Sequence, residues 1–142
     1  MQRDNIKKGL QFFPKIAFIL GCISFIVLFI GQIGDSFGGK SDPNVKLVLQ
    51  SMRENYGMIT YEDAFEAFFN KPKWESFTSK DGDTIVEFSG EARDDISVTA
   101  QFTLYVEAEY FELSYLEYNR IPQSLFERAS FLDTVFDSYL YN

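Results

Sequence analysis

The sequence predicts an α+β fold: a single N-terminal transmembrane helix, then a small α-α-β-β-β-β-α domain with an antiparallel four-stranded sheet. Three observations predict it. Ile16–Ile33 is an eighteen-residue run without a charged side chain. Three later stretches repeat apolar residues every three to four positions, the spacing of a helix with one buried face. Residues 96–106 alternate apolar and polar, the spacing of a strand with one buried face.

The apolar run comes first. At about 1.5 Å per residue, eighteen helical residues span roughly 27 Å, close to the ~30 Å hydrocarbon core of a bilayer. Residues 1–15 carry Arg3, Lys7, Lys8 and Lys15 against Asp4, a net +3, which the positive-inside rule places in the cytoplasm. The remainder of the chain is then expected outside, at a bacterial inner or cytoplasmic membrane. A cleaved signal would end its apolar core at small residues, but Ile23–Ile30 continues apolar. Leu20-Gly21-Cys22 resembles a lipoprotein processing site only faintly, because Leu20 is bulky for its position and the apolar stretch before Gly21 is short. The run therefore reads as retained. Residues 34–41, with Gly34, Gly38 and Gly39, read as a linker.

Residues 42–142 are expected to form the acidic soluble domain. Asp42-Pro43 is a helix start, with Asp as N-cap and Pro in the first turn. Val45, Val48, Leu49 and Met52 make one apolar face, and Gly57 closes the stretch. Thr60-x-x-Asp63 is a capping-box variant opening a second helix with an Ala64, Phe65, Phe68 and Phe69 stripe. Asn70-Lys71-Pro72 is read as its end. Strands follow at 74–78 and 84–89, joined by an Asp-Gly turn and closed by Gly90. The clearest strand places Ile96, Val98, Ala100, Phe102, Leu104 and Val106 on a core and Ser97, Thr99, Gln101, Thr103 and Tyr105 toward water. A fourth strand spans 111–118, where the phase breaks at Leu116 and suggests a bulge. Pro122 is read as opening a closing helix with Leu125, Ala129, Leu132, Val135, Phe136 and Tyr139 inward.

Composition narrows function. The chain has no histidine, which removes the usual general base and the commonest neutral metal ligand. Cys22 is the single cysteine, so disulfides and Cys/His zinc sites are excluded within this sequence. Residues 35–142 carry a net −11, which repels phosphate backbones, so nucleic acid is not an expected ligand. Eighteen per cent of the residues are aromatic, enough to build a ring-rich core without covalent staples.

The spacing Thr60-x3-Ala64-Phe65-x2-Phe68-Phe69-x4-Trp74-x2-Phe77, then Val86-x-Phe88-x-Gly90 and Gln101-Phe102, resembles uncharacterised small bacterial membrane-anchored domains. Those domains follow a single membrane helix, sometimes behind a zinc ribbon, which this chain lacks. The resemblance covers roughly residues 45–140 and implies an anchored envelope domain. It brings no catalytic residue with it.

No catalytic, cofactor-binding or metal-binding residue is assigned from the sequence, and no cofactor is expected. Asp81-Gly82-Asp83 and Asp94-Asp95 fit turns better than a calcium loop, which needs more carboxylates and a closing Glu. Glu107, Glu109, Glu112 and Glu117 flank a strand junction in a pattern typical of a solvated face. Gly21, Ser24 and Gln32 offer membrane-helix contacts through small faces and one polar group. Tyr105, Tyr110 and Tyr115 are candidate partner contacts, since exposed rings dominate contact energies. The expected function is a non-enzymatic accessory protein held at the lipid bilayer and docking a membrane protein partner. The alternative is a tethered module binding a small ligand or glycan on an aromatic sheet face.

Overall fold

The computed structural model describes residues 39–141. It contains three α-helices, α1 (Pro43–Leu49), α2 (Tyr61–Phe68) and α3 (Leu125–Tyr141). Five strands, β1 (Asn70–Thr78), β2 (Thr84–Glu91), β3 (Ser97–Tyr105), β4 (Tyr110–Tyr118) and β5 (Ile121–Pro122), form one antiparallel meander in chain order. The sheet therefore has five strands, not the expected four. The expected transmembrane helix at 16–33, with Gly21, Ser24 and Gln32, lies outside the described residues. Among the described residues no helix is long and apolar enough to cross a membrane.

The extra strand arises where Pro122 was expected to open a helix. Asn119 and Arg120 both take the left-handed conformation, with φ of 50° and 67°. That two-residue pair is the geometry of a tight primed hairpin, so the chain reverses and Ile121–Pro122 pairs with Tyr118 and Glu117. Proline is accommodated because this strand lies at the sheet edge and needs no donor there. The helix starts three residues later, at Leu125, behind a capping box formed by Ser124 and Glu127: the Ser124 amide and hydroxyl donate to the Glu127 carboxylate, and the Glu127 amide donates to Ser124 Oγ. The rest of the β4 edge is partly closed by backbone and side-chain donors. The Gln123 amide donates to the Leu116 carbonyl, and Arg128, 7% exposed, donates from Nη1 to the Ser114 carbonyl.

β1 likewise begins earlier than its expected start at Trp74. Lys71 has φ of 51°, and the β1–β2 register shifts between Asn70 and Lys73. A bulge at an edge is where proline can sit inside a strand. The first helix is shorter than its apolar pattern, ending at Leu49, and Met52 instead bridges to Thr60. Its cap is the expected one, since Asp42 Oδ1 accepts from the Asn44 and Val45 amides at 2.8 and 3.1 Å. Thr60 and Asp63 form the expected reciprocal cap on α2.

The three helices pack on one phase of the sheet. Phe65 of α2, fully buried, is the centre: its ring lies 5.5 Å from Phe69, 5.1 Å from Trp74, 4.8 Å from Phe88, 6.3 Å from Phe102 and 6.1 Å from Phe131, centroid to centroid. Tilted and edge-on pairs of this kind suit the ring quadrupole and add to the burial of apolar area. Trp74 and Phe88 face each other across β1 and β2, and Phe88 in turn faces the small Ala100 on β3. The phase break in β4 is a register shift opposite Gln101 and Phe102 that leaves Ser114 as the extra residue. Leu113 and Phe111 thereby stay on the helix side, while Tyr115 turns to the other phase with Gln101.

The centre of that other phase is not the water-facing surface the alternation implied, although Ser97 and Tyr105 at the two ends of β3 are exposed. Gln101 and Thr103 are each 1% exposed, and Ile85 is 4% exposed. The buried polar groups pair with one another: Thr103 Oγ1 donates to Ser114 Oγ, which donates to the Gln101 carbonyl, and Gln101 Nε2 donates to Glu87. Buried polar groups hold their place only when paired in this way.

Candidate functional site

The β3–β4 hairpin carries an exposed pair of aromatic rings. Val106–Ala108 forms one 3₁₀ turn, and Glu109 closes it in the left-handed conformation at φ 49°. Tyr105 and Tyr110 are register partners on either side of this turn, so their side chains leave the same phase of the sheet. Their rings stack with centroids 5.8 Å apart and an interplanar angle of 21°. Both are exposed, Tyr110 at 54%. Tyr105 Oη donates to Glu112 Oε1 at 2.9 Å, which fixes the ring without removing it from solvent.

A meander places the β1–β2 turn at the same end as the β3–β4 turn. The turn at 79–83 is closed by the Ser79 amide donating to the Asp83 carbonyl and the Asp83 amide donating to Ser79 Oγ. Asp81, Asp83, Glu107, Glu109 and Glu112 thus gather at one end of the sheet against Lys80. Asp83 is near enough to act on Tyr105. Burial first, then the Glu112 bond and the Glu112 and Asp83 charges, push the Tyr105 phenol up to about 12. Tyr110 is raised by burial and by Glu112. Both phenols therefore stay protonated across the physiological range and present neutral, hydrogen-bonding rings.

Tyr115 stands apart from this pair. It is 6% exposed and donates to Glu117 Oε2 at 2.6 Å. It belongs to a rung that crosses four strands: Glu75 faces Glu87, Glu87 faces Gln101, and Gln101 faces Tyr115. Glu87 is raised above the usual carboxylate range, chiefly by burial, with Glu75 and Glu117 adding repulsion and the Gln101 bond opposing it. Lys73 lies 3.9 Å from Glu75.

Two neighbouring carboxylates with divergent environments are one requirement of acid–base chemistry. Gln101 donates to Glu87, Tyr115 donates to Glu117 and Lys73 pairs with Glu75, so the polar groups of the rung are engaged with neighbours in the sheet. A cavity of about 190 Å³ between α3 and the sheet is lined by Phe68, Phe69, Phe131, Tyr118 and other apolar groups. The carboxylate on that lining is Glu127, already committed to the cap of α3. Among the described residues no group of three or more Asp, Glu or Cys side chains is placed to hold a metal ion.

The Glu87 environment has a testable consequence. A carboxyl group whose folded pKa is raised binds a proton more tightly when folded, so stability falls as pH rises from 4.5 through the raised value. Above that value the penalty is fully present. Glu87→Gln keeps an acceptor for Gln101 and removes the charge. It should stabilise the fold at pH 7 by roughly 0.5–1 kcal/mol, the scale of a cross-strand charge contact, and the gain should vanish below pH 4.5. Thermal melts of both proteins at pH 4 and pH 7 measure it.

The residue pattern marks Tyr105, Tyr110 and Tyr115 alike as candidate contacts and Glu112 as part of a solvated face; it does not show the Tyr105–Tyr110 stack, the Tyr105–Glu112 bond or the burial of Gln101 and Thr103. The signal for that burial was present. Thr103 lies between Phe102 and Leu104, and a two-sided strand in a small sheet leaves its central polar residues little water.

No protein family, curated protein or solved structure shows significant similarity to this chain.

Proposed function

We propose that this chain is a non-enzymatic accessory protein that docks a protein partner through the Tyr105–Tyr110 end of its acidic domain. The stacked, exposed ring pair carries the reading. Rings held in place before binding contribute contact area at little entropic cost, which is why Tyr is enriched where interfaces are strongest. Supporting it, several titratable groups elsewhere are engaged within the fold. Asp133 pairs with Arg53 at 2.7 Å, Tyr56 donates to Asp137 at 2.8 Å, and Lys40 is held by Glu62 and Glu66. The charge-free run at 16–33 supports attachment to a membrane and hence a membrane protein as the partner.

A second reading has one observation in its favour. An exposed ring beside a carboxylate, as Tyr110 stands beside Glu112, is also suited to stacking a sugar while accepting its hydroxyls.

A photo-crosslinking residue at position 110 of the full-length chain tests the docking reading in cells. Position 126 at the start of α3, where Phe126 is 83% exposed, is the control. We expect one discrete protein adduct from position 110 and none from position 126. An adduct from position 126 alone, or no protein adduct from either, would overturn the assignment, and the latter would favour the glycan reading.

A further inference from the structure

We infer that the open edge of β4, at Tyr110–Leu113, takes an extended segment of the protein partner as an added strand, an acidic side chain of which pairs with Arg128. The inference rests on the docking reading and adds the form of what docks. Strand β4 meets β5 only at Glu117 and Tyr118. Next along that edge, the Leu116 and Ser114 carbonyls accept from the Gln123 amide and from Arg128. Among the described residues no strand pairs with the outer side of Tyr110–Leu113, which is exposed at Tyr110 and half-buried over the next three residues. Alternate residues of a strand direct N–H and C=O away from their neighbour, so this stretch offers an unfilled ladder.

The two edges of the sheet are built differently. At the other edge, β1 carries Pro72 in a bulged register and exposed Lys71 and Lys73. Proline, bulges and lysines are the devices by which an edge refuses a further strand. Tyr110–Leu113 contains no proline or lysine, and its register with β3 is regular.

Arg128 stands at the end of that stretch. It is 7% exposed, its Nη1 donates to the Ser114 carbonyl, and its Nε has no hydrogen-bond partner. Nε and Nη1 belong to one rigid planar group, so the unmet donor also lies at the β4 edge, beside the residue that follows Leu113. Burial lowers the Arg128 pKa more than the charge of Glu112 raises it, so the cation is incompletely compensated. A buried donor without an acceptor is costly, and an acceptor carried in by an added strand removes that cost. A carboxylate suits best, because it accepts two donors of the guanidinium fork at once.

The test is a titration of the full-length chain in detergent micelles, read by backbone amide NMR and amide hydrogen exchange. The probes are acetyl-Thr-Val-Glu-Val-Thr-amide, its counterparts with Gln or Lys for Glu, and one with Pro for the second Val. The Glu peptide should slow exchange within 110–113 and bind at least about tenfold more tightly than the Pro peptide, which cannot complete a ladder. It should also bind about tenfold more tightly than the Gln peptide, with the Lys peptide weakest. Arg128→Lys keeps a cation but not the fork, and should shrink the Glu-over-Gln preference to about threefold or less. Should that variant not fold, the Glu, Gln and Lys peptides on the wild-type chain still decide the pairing. Equal binding of the Glu and Pro peptides, slowed exchange at β1 instead of β4, or no binding of any peptide would overturn strand addition. Equal binding of the Glu and Gln peptides would overturn the pairing with Arg128.

The two readings fail differently. Proline is placed at 111, 112 and 113 in turn, and the variants that melt like the wild type are kept. A cellular crosslink from position 110 that survives in them would refute strand addition and leave docking intact. Absence of the crosslink without any proline, while the Glu peptide still binds at β4, would remove the docking reading alone.

Discussion

Replacing Phe65 with alanine should destabilise the folded domain by about 3–5 kcal/mol, the range for a fully buried aromatic truncation. Phe65 sits between layers: it leaves α2 and its ring meets Trp74 and Phe88 of the sheet on one side and Phe131 of α3 on another. Those neighbours are fixed by the backbone of three different elements, so the space left by the ring cannot close by moving one of them. A cavity term therefore adds to the lost transfer free energy. Small domains hold ~5–15 kcal/mol in total, so the variant should melt tens of degrees lower or fail to hold its fold at 37 °C. Urea denaturation followed by Trp74 fluorescence, in the full-length chain, measures it. A loss below about 1 kcal/mol would mean that the ring cluster is not the core.

Gly90→Ala should cost about 1–3 kcal/mol, for the opposite reason. A methyl group there would lie 2.6 Å from Cζ of Phe88 and 3.2 Å from Cβ of Phe69. The Phe88 ring folds over the chain two residues on, and it can do so because Gly90 offers no side chain and Ala100 faces it across the strand. The ring is fully buried against Phe65, Phe69 and Trp74, so it cannot swing aside. Shortening the obstacle should relieve the clash: the pair Phe88→Leu with Gly90→Ala should be less destabilised than the sum of the two single changes. A double-mutant cycle reads that coupling directly, and strict additivity would refute the steric account.

Val86 and Phe88 of the spacing Val86-x-Phe88-x-Gly90 are buried, as are Ala64, Phe65, Phe69 and Trp74, and all of them pack into one core. Helix ends at Asp42 and Thr60 were legible because their capping chemistry is local to four residues. The fifth strand was not, because its turn uses Asn119-Arg120 where glycine is the usual marker, and Pro122 reads equally well as a helix start. The bulge carrying Pro72 was hidden for a similar reason. Only the edge position of β1, a property of the whole sheet, makes proline tolerable there.

The candidate site was legible in part. Tyr105 and Tyr110 were singled out by residue type, and the hairpin register that stacks them is what makes them a surface. Tyr115 shares their residue type, but the extra residue at Ser114 carries it into the buried rung with Gln101 instead. No periodicity in the chain states which of three tyrosines a bulge will redirect. The gathering of the two acidic turns follows from strand order, which local patterns do not encode.

Docking through the tyrosine pair is tested by purifying the full-length chain in mild detergent at native expression, with mass spectrometry of what accompanies it. Wild type and Tyr105→Ala with Tyr110→Ala are compared, both first shown to melt alike. A stoichiometric protein partner is expected with the wild type, and its loss from the variant. Recovery of the wild-type chain alone, or an equal amount of partner with both, would contradict it.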